Sequence, residues 1–295
     1  MLSTASNGET KKQDIPFLGF EIEQNQRITE VRSSGKRSNY KPNKGLHRHS
    51  HYEILLIKKG GGTHIIDFKT YPVSDNQVFF LRPGQVHQFL PNKEAEFYFV
   101  AIDGAEIRLN SSVQLTQFEF FQSFYASDFV CFDEIESLVP LIQNLQRAIT
   151  KRSKHSNDSI IISSYTVIFL IELQQKFLRH IQSNQASKHQ SSVVTDFNML
   201  LDKAAFLKRF VKDYAKELFV SPNYLNEKIK EETGKPASFW IHKKTITESK
   251  RLLLQKDMPL KEISTALEFQ RASHFDRFFK EHEGITPSEF RKQLS

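Results

Sequence analysis

The period of the apolar residues divides this chain. Between Phe17 and about Asp103, runs such as HYEILLIKK, GTHIIDF, NQVFFLRP and EFYFVAID alternate apolar with polar positions or are apolar throughout, and Gly, Pro, Asn and Asp clusters separate them. Short runs punctuated this often predict an all-β sandwich or barrel rather than alternating βα units. After about Thr116 the period lengthens: Ile135, Leu138, Val139, Ile142, Leu145 and Ile149 fall at helical spacing, and Ile160 through Leu178 do the same. Two helices are expected there. The polar stretch KRSKHSND joins them, and SNQASKHQSS, too poor in apolar residues to fold alone, follows. From Val193 onward every signal is helical, and 295 residues suit about two domains.

The helical third contains a repeat. SPNYLNEKIKEETG (221–234) matches RASHFDRFFKEHEG (271–284) at an offset of 50 residues, which aligns Leu225 with Phe275, Ile229 with Phe279, and the two glycines. The preceding positions Tyr214, Ala215 and Leu218 match Ile263, Ser264 and Leu267 at an offset of 49, so the one-residue difference falls in a turn. Each copy therefore reads as a short helix, a tight turn and a second helix closed by Gly where a left-handed backbone is cheapest. On the second helices the polar face carries Asn223, Asn226, Glu227 and Lys230 in one copy, and Ser273, Asp276, Arg277 and Lys280 in the other. A single such face is usually just solvated. Two with matched turns, in a chain of net charge +7, favour DNA reading, because Asn, Arg, Ser and acidic side chains match base edges in a major groove while lysines suit phosphates.

Between the copies, Pro236 to about Leu254 reads as one helix, roughly 28 Å long at 1.5 Å per residue, with Phe239, Trp240, Ile246, Leu252 and Leu253 placed to pack against both. That length is comparable to the roughly 34 Å between successive major-groove faces of B-DNA. The segments VKDYAKELFVSPNYLNEKIKEETG, SKRLLL and LKEISTALEF…SHFDRFFKEHEGITPSEFR resemble the DNA-binding domain of the AraC/XylS regulator family over about residues 211–291. The resemblance implies that Asn223, Asn226 and Glu227, then Ala272, Ser273, Asp276 and Arg277, occupy base-facing positions. It departs from the family pattern at Glu268, where a Gly is usual, and at Thr245, where an Arg is usual.

His47, His49, Glu53 and His87 form a second constellation, HxHxxxE followed later by PGQVH. Alternate strand residues share a face, so His47, His49, His51 and Glu53 can point together, and a strand of the far sheet can add His87. The pattern resembles the cupin motif pair, although Lys41 and Pro91 stand where the family usually has Gly and Asn. Three readings stay open: a metal site, since His with carboxylate suits zinc, iron or manganese; side chains merely satisfying strand-end hydrogen bonds; and an effector pocket. The pocket is the preferred reading, with Tyr52, Phe80 and Phe89 as its aromatic walls and no metal or cofactor.

The remaining chemistry mainly excludes. No Gly-rich phosphate loop or Ser-His-Asp arrangement is present, and the lone Cys131 has no partner His at a readable spacing, so no catalytic residue is expected. The polar N-terminus and the absence of a second cysteine fit the cytoplasm. Ile160 to Leu173 is interrupted by Ser163, Ser164, Tyr165, Thr166 and Glu172, so no membrane span is expected.

The expected protein is a two-domain α+β transcription regulator. Residues 1–115 form a cupin-like β-barrel that senses a small-molecule effector, 116–192 a helical dimerisation and linker segment, and 193–295 an all-α domain with two helix-turn-helix motifs that binds double-stranded DNA. A homodimer is expected, with RNA polymerase as a further candidate partner. The alternative is a metal-dependent cupin enzyme with an accessory helical domain.

Overall fold

The computed structural model describes residues 30–34, 45–104, 107, 113–122, 128–152, 157–184, 192–202, 208–255 and 257–293. The polar connections expected at 151–158 and 183–192 lie largely outside them. Among the described residues the β domain has eight strands: β1 (Glu30–Ser33), β2 (Tyr52–Lys59), β3 (Gly62–Ile66), β4 (Lys69–Pro72), β5 (Gln77–Leu81), β6 (His87–Pro91), β7 (Glu96–Ile102) and β8 (Phe129–Cys131). The four runs read from sequence correspond to β2, β3, β5 and β7. β1, β4 and β8 are too short to show a period of their own.

All pairings are antiparallel, in a five-stranded sheet of order β1-β7-β2-β5-β8 and a three-stranded sheet of order β4-β3-β6. The expected closed barrel is therefore corrected. Among the described residues no strand pairing joins the two sheets, and they face each other as a sandwich. Leu55, Ile57, Phe79 and Leu81 of the large sheet meet Ile66 and Phe89 of the small one in its interior.

Strand alternation gives the large sheet a second apolar face. Ile54, Leu56, Val78 and Phe80 point away from the sandwich interior into a core shared with the helices. Helix α1 (Val139–Thr150) contributes Ile142 and Leu145, and α2 (Asn157–Asn184) contributes Phe169, Leu173 and Phe177. The rings of Phe80, Phe120 and Phe177 pack together with centroids 4.9 to 5.9 Å apart, and each fully buried Phe contributes about 1.5–3 kcal/mol. Helix α2 has the length and mean hydropathy, 1.2, to cross a membrane. Its buried residues nevertheless belong to this core, as in the central helix of a globular domain.

The C-terminal part begins with α3 (Ser192–Asp202) and continues as α4 (Val211–Glu217), α5 (Pro222–Thr233), α6 (Ala237–Leu253), α7 (Leu260–Ala266), α8 (Ala272–Glu283) and α9 (Pro287–Gln293). Helix α6 belongs to two cores. Its first half places Ala237 and Ile241 among Phe197, Tyr214, Leu225 and Ile229, and its second half places Ile246 and Leu253 among Ile263, Phe269, Phe275 and Phe279. Phe239, expected to pack, is exposed instead. Gly234 and Gly284 close α5 and α8 at φ +72° and +78°. No atom lies within 4 Å of where a Cβ would sit at either glycine, so backbone conformation alone selects Gly there.

Candidate nucleic-acid interface and sensor site

Helices α4 and α5, and α7 and α8, are two pairs of helices joined by short turns, with the strut α6 between them. Asn223, Glu227 and Lys230 on α5, and Ser273, Arg277 and Lys280 on α8, are exposed, while Ala272 and Asp276 are half-buried. Asn226 is half-buried too, and its Oδ1 accepts a hydrogen bond from the backbone N–H of Ala237 at 3.1 Å. This bond satisfies an otherwise unpaired donor at the start of α6. The Asn226 carbonyl is thus committed to holding α5 against the strut. Helix α5 is itself started by Ser221, whose Oγ accepts from the Tyr224 N–H at 3.2 Å, with Pro222 in the first turn.

In the β domain, His47, His49, Glu53, His64 and His87 are all buried. His49 and Glu53 flank the start of β2, His64 lies on β3 and His87 opens β6. His47 is carried into the group by an isolated antiparallel bridge to His87. The His49 Nε2 lies 2.9 Å from Glu53 Oε2, and His51 Nε2 and His87 Nε2 are each 3.9 Å from that oxygen. The Nδ1 atoms of His49 and His47 sit 2.9 Å from the His51 carbonyl and 3.1 Å from the Gly45 carbonyl. Burial is the main cause that lowers the pKa values of His47, His51, His64 and His87, with His51 brought to about 2 and His64 to about 3.

Of the expected aromatic walls, Phe89 shares this interior, its ring 5.4 Å from that of His64. Tyr52 and Phe80 do not join it. They point to the opposite face of the large sheet, among Phe121 and Phe120, because Tyr52 is one residue out of phase with Glu53, and Phe80 with Phe79. His64 was missed by sequence reasoning, although its place two residues before Ile66 in GTHII puts it on the interior face.

A third feature joins the domains. Arg251 of α6 donates to both oxygens of Asp67, from Nε at 3.0 Å and Nη2 at 2.7 Å, and from Nη1 to Glu248. Burial disfavours the carboxylate of Asp67, but Arg251 outweighs it and holds the pKa of Asp67 below its ordinary value. Burial likewise works against the charge on Arg251, and the pull of Asp67 and Glu248 still raises its pKa. Asp67 and Phe68 form the β3–β4 turn, both with positive φ (+43° and +71°). A Phe there is unusual and costs on the order of 1–3 kcal/mol. The Phe68 ring meets Phe290 of α9 with centroids 5.8 Å apart. Separately, buried Asn198 of α3 donates to Gln122 Oε1 at 3.1 Å.

Beside this junction lies a cleft of about 1150 Å³ lined from both domains, by Tyr52, Lys69, Arg82, Trp240, Lys243 and Lys250 among others. No spacing in the sequence announces the contact of Asp67 with Arg251, 184 residues away. On α6, Arg251 shares a face with Lys244, Thr247 and Glu248, away from Ile246 and Leu253, so nothing local sets it apart from a solvated charge.

Comparison with known families matches residues 36–164 to the AraC-like ligand binding domain and residues 214–293 to the helix-turn-helix domain. The chain belongs to the AraC family. Among its curated AraC-like relatives is the HTH-type transcriptional regulator YfiF of Bacillus subtilis, 24% identical over 83% of this chain and 78% of that one. The transcriptional activator RhaR of Mannheimia succiniciproducens is 19% identical over 88% and 91%. Among solved structures, ToxT of Vibrio cholerae aligns over 91% of this chain and 97% of its own at 17% identity and a TM-score of 0.41.

The two departures from the AraC-family pattern acquire a physical meaning. Glu268, in place of Gly, sits at φ +60° in the turn between α7 and α8, and Phe219 occupies the equivalent turn between α4 and α5 at φ +56°. Both turns therefore use the left-handed region without Gly. Thr245, in place of Arg, is buried on α6 and donates its hydroxyl to the Ile241 carbonyl at 2.9 Å, leaving Arg251 as the buried cation of that helix.

Proposed function

We propose that this chain is a cytoplasmic, sequence-specific DNA-binding regulator of transcription, whose helices α5 and α8 read neighbouring major-groove segments and whose β domain responds to a small-molecule effector. The observation that carries the reading is the repeated surface of α5 and α8. Positions 223–231 and 273–281 follow the same order of exposed, half-buried and buried residues, and both helices are braced on one strut of 17 residues, roughly 25 Å long. Asn223, Glu227, Ser273 and Arg277 are the proposed base readers, with Lys230 and Lys280 on phosphates. Asp276 and Ala272 take the margins, and Asn226 acts through its amide nitrogen while its oxygen holds α6.

The domain plan that goes with this reading has a sensor over residues 1–115, helical dimerisation and linker elements over 116–192, and the DNA-binding unit over 193–295. The exposed isoleucines Ile160, Ile161, Ile168 and Ile171 on α2 support a two-fold homodimer. We place the small molecule in the cleft between the domains, where Tyr52 of the expected pocket lies. Its volume is ample for a drug-sized ligand, and a ligand touching both domains favours one of their arrangements over the other, which is the condition for control. The relatives named above are regulators, which supports a binding protein rather than an enzyme.

Selection of bound fragments from random DNA tests the reading. The wild type should enrich a site with two short conserved blocks. Arg277→Ala should lose about 1–3 kcal/mol on that site and blur one position, while Lys280→Ala should weaken all sequences alike. Equal losses for Arg277→Ala on selected and random DNA would overturn the base-reading role.

A further inference from the structure

Each helix pair grips its own half of α6 through apolar contacts, and among the described residues the two clusters have none in common. A tie that lies off the axis of α6 restrains the turn of one pair against the other far more firmly, because it acts at a distance from that axis. Residues 208–210, which lead into α4, supply one. They belong to the first pair: the Phe210 carbonyl accepts from the Asp213 N–H at 3.0 Å at the start of α4, and buried Tyr214 donates its hydroxyl to the Lys208 carbonyl at 3.2 Å. Their side chains reach the second pair. The guanidinium carbon of Arg209 lies over the Phe269 ring, 3.5 Å from its centroid, and 5.9 Å from that of Phe278. Its Nη1 donates to the Glu268 carbonyl at 3.5 Å, and Lys208 Nζ pairs with the Glu268 carboxylate at 3.2 Å.

The contact falls on the part of the second pair that aims α8. Glu268 and Phe269 lie in the turn between α7 and α8, and buried Phe269 packs on Phe275 and Phe278 of α8 with centroids 5.4 and 5.3 Å apart. A shift of this ring moves the start of α8, where Ala272 and Ser273 stand. Glu268 gives both its carboxylate and its carbonyl to residues 208 and 209; a Gly at that turn keeps only the carbonyl. At 3.5 Å the planar guanidinium is in van der Waals contact with the ring face, which fixes orientation as well as distance. The exposed Lys208–Glu268 pair adds little to stability, so its contribution is direction.

We propose that Arg209 is a positioning residue for DNA reading: its stack on Phe269 clamps the α7–α8 turn to the entrance of α4 and so fixes the spacing and relative rotation with which α5 and α8 meet the major groove. The proposal rests on the reading of α5 and α8 as the helices that contact DNA. Arg209 itself need touch no base. Its effect is on which separation of the two blocks the chain accepts, a property that neither base-reading side chain controls alone.

The test uses the full chain and two readouts. The first is the affinity for a selected two-block site and for the same site with its spacer lengthened or shortened by two base pairs, a change that displaces one block by about 7 Å and turns it by about 70°. The wild type should lose about 100-fold on the altered spacers, as for one or two lost base contacts, and Arg209→Ala less than about 10-fold. Arg209→Lys keeps the charge without the planar stack and should behave as Arg209→Ala does. Phe269→Leu, which removes the ring face and keeps an apolar side chain, should do the same. The second readout needs no DNA: spin labels at Glu231→Cys and Glu281→Cys, exposed and equivalent positions on α5 and α8, in a Cys131→Ser background. The distance distribution should be narrow with Arg209 and about twice as wide with Ala or Lys in its place.

A merely stabilising Arg209 would lower the melting temperature of Arg209→Ala and leave its spacer preference as in the wild type, which would overturn the proposal. Full recovery by Arg209→Lys would overturn it too, because a charge near phosphate would then suffice. A wild type indifferent to spacer length, or label distances unchanged in Arg209→Ala, has the same consequence. Should Arg209→Ala fail to fold, Arg209→Lys and Phe269→Leu carry the same two outcomes. DNA binding by the wild type with no change in label distances contradicts the clamp alone, whereas widened distances in a chain that binds no DNA contradict the regulator reading.

Discussion

Residues 223–231 of α5 and 273–281 of α8 present the same order of exposed and buried positions, yet only the closing Lys–Glu (Lys230 and Glu231, Lys280 and Glu281) is shared and the other residues that fill it differ. The first helix buries aliphatic Leu225 and Ile229, is started by Ser221 and is tied to the strut by Asn226. The second buries Phe275 and Phe279 and begins at Arg271 without a side-chain cap. Its ties to the strut come from its far end, where Glu283 pairs with Lys250 at 2.6 Å and His282 meets His242. The two pairs are also held by different neighbours. The first shares its core with α3, which reaches the β domain through Asn198 and Gln122. The second shares its core with Phe290, on which the β3–β4 turn rests. Repetition has kept the backbone geometry and left the chemistry of each face free to diverge.

The comparison breaks most sharply in the two cores. Phe279→Ala should cost about 3–5 kcal/mol and Ile229→Ala about 2–5 kcal/mol. Because the residues lie in separate apolar clusters that share α6, each loss should be local. Hydrogen exchange should show α7 and α8 opening in the first variant and α4 and α5 in the second. Equal opening of both pairs would mean that the strut transmits more than it separates.

Next in size is the grip of the β domain on the second pair. Asp67→Ala removes the bidentate partner of a buried Arg and should cost on the order of 3 kcal/mol, read as a lower unfolding midpoint and greater exchange in α6 but not in α4. The same pair sets a pH window. Asp67 and Glu248 have folded-state pKa values below their ordinary 3.8 and 4.5. Their stabilisation is therefore whole above those values and fades as pH falls through the lower folded-state ones. Small-angle scattering should be unchanged from about pH 8 to 5 and show the domains loosening only below about pH 4.

The smallest effect concerns the turns. Phe219 is 96% exposed and, like Glu268, sits at positive φ. Replacing either with Gly should raise stability by roughly 1 kcal/mol, since the left-handed conformation costs a residue with a Cβ about that much. The two gains should match if the turns are true equivalents. An unchanged or lower melting temperature for Glu268→Gly would show that its ion pair with Lys208, at 3.2 Å, outweighs the strain.

What the sequence disclosed follows from how local each feature is. Helix–turn–helix spacing, the glycines at 234 and 284 and the alternation in β2 are consequences of residues a few positions apart, and a repeat at fixed offset doubles the signal. The alternation also carried information left unused, since Tyr52 beside Glu53 and Phe80 beside Phe79 are bound to face opposite sides. Pairings between distant segments have no local trace. Whether the two sheets close into a barrel, whether Asn226 spends its carbonyl on Ala237, and which carboxylate meets Arg251 are decided by packing between elements far apart in the chain.

Hydroxyl-radical footprinting of the full chain on a selected site bears most directly on the claim that α5 and α8 read DNA from one strut. Two protected stretches, centred about one helical turn or 10 base pairs apart, should appear for each chain bound. Arg277→Ala should weaken one of them, and Asn223→Ala combined with Glu227→Ala the other. A single protected stretch, or one pattern shared by both variants, would contradict the account.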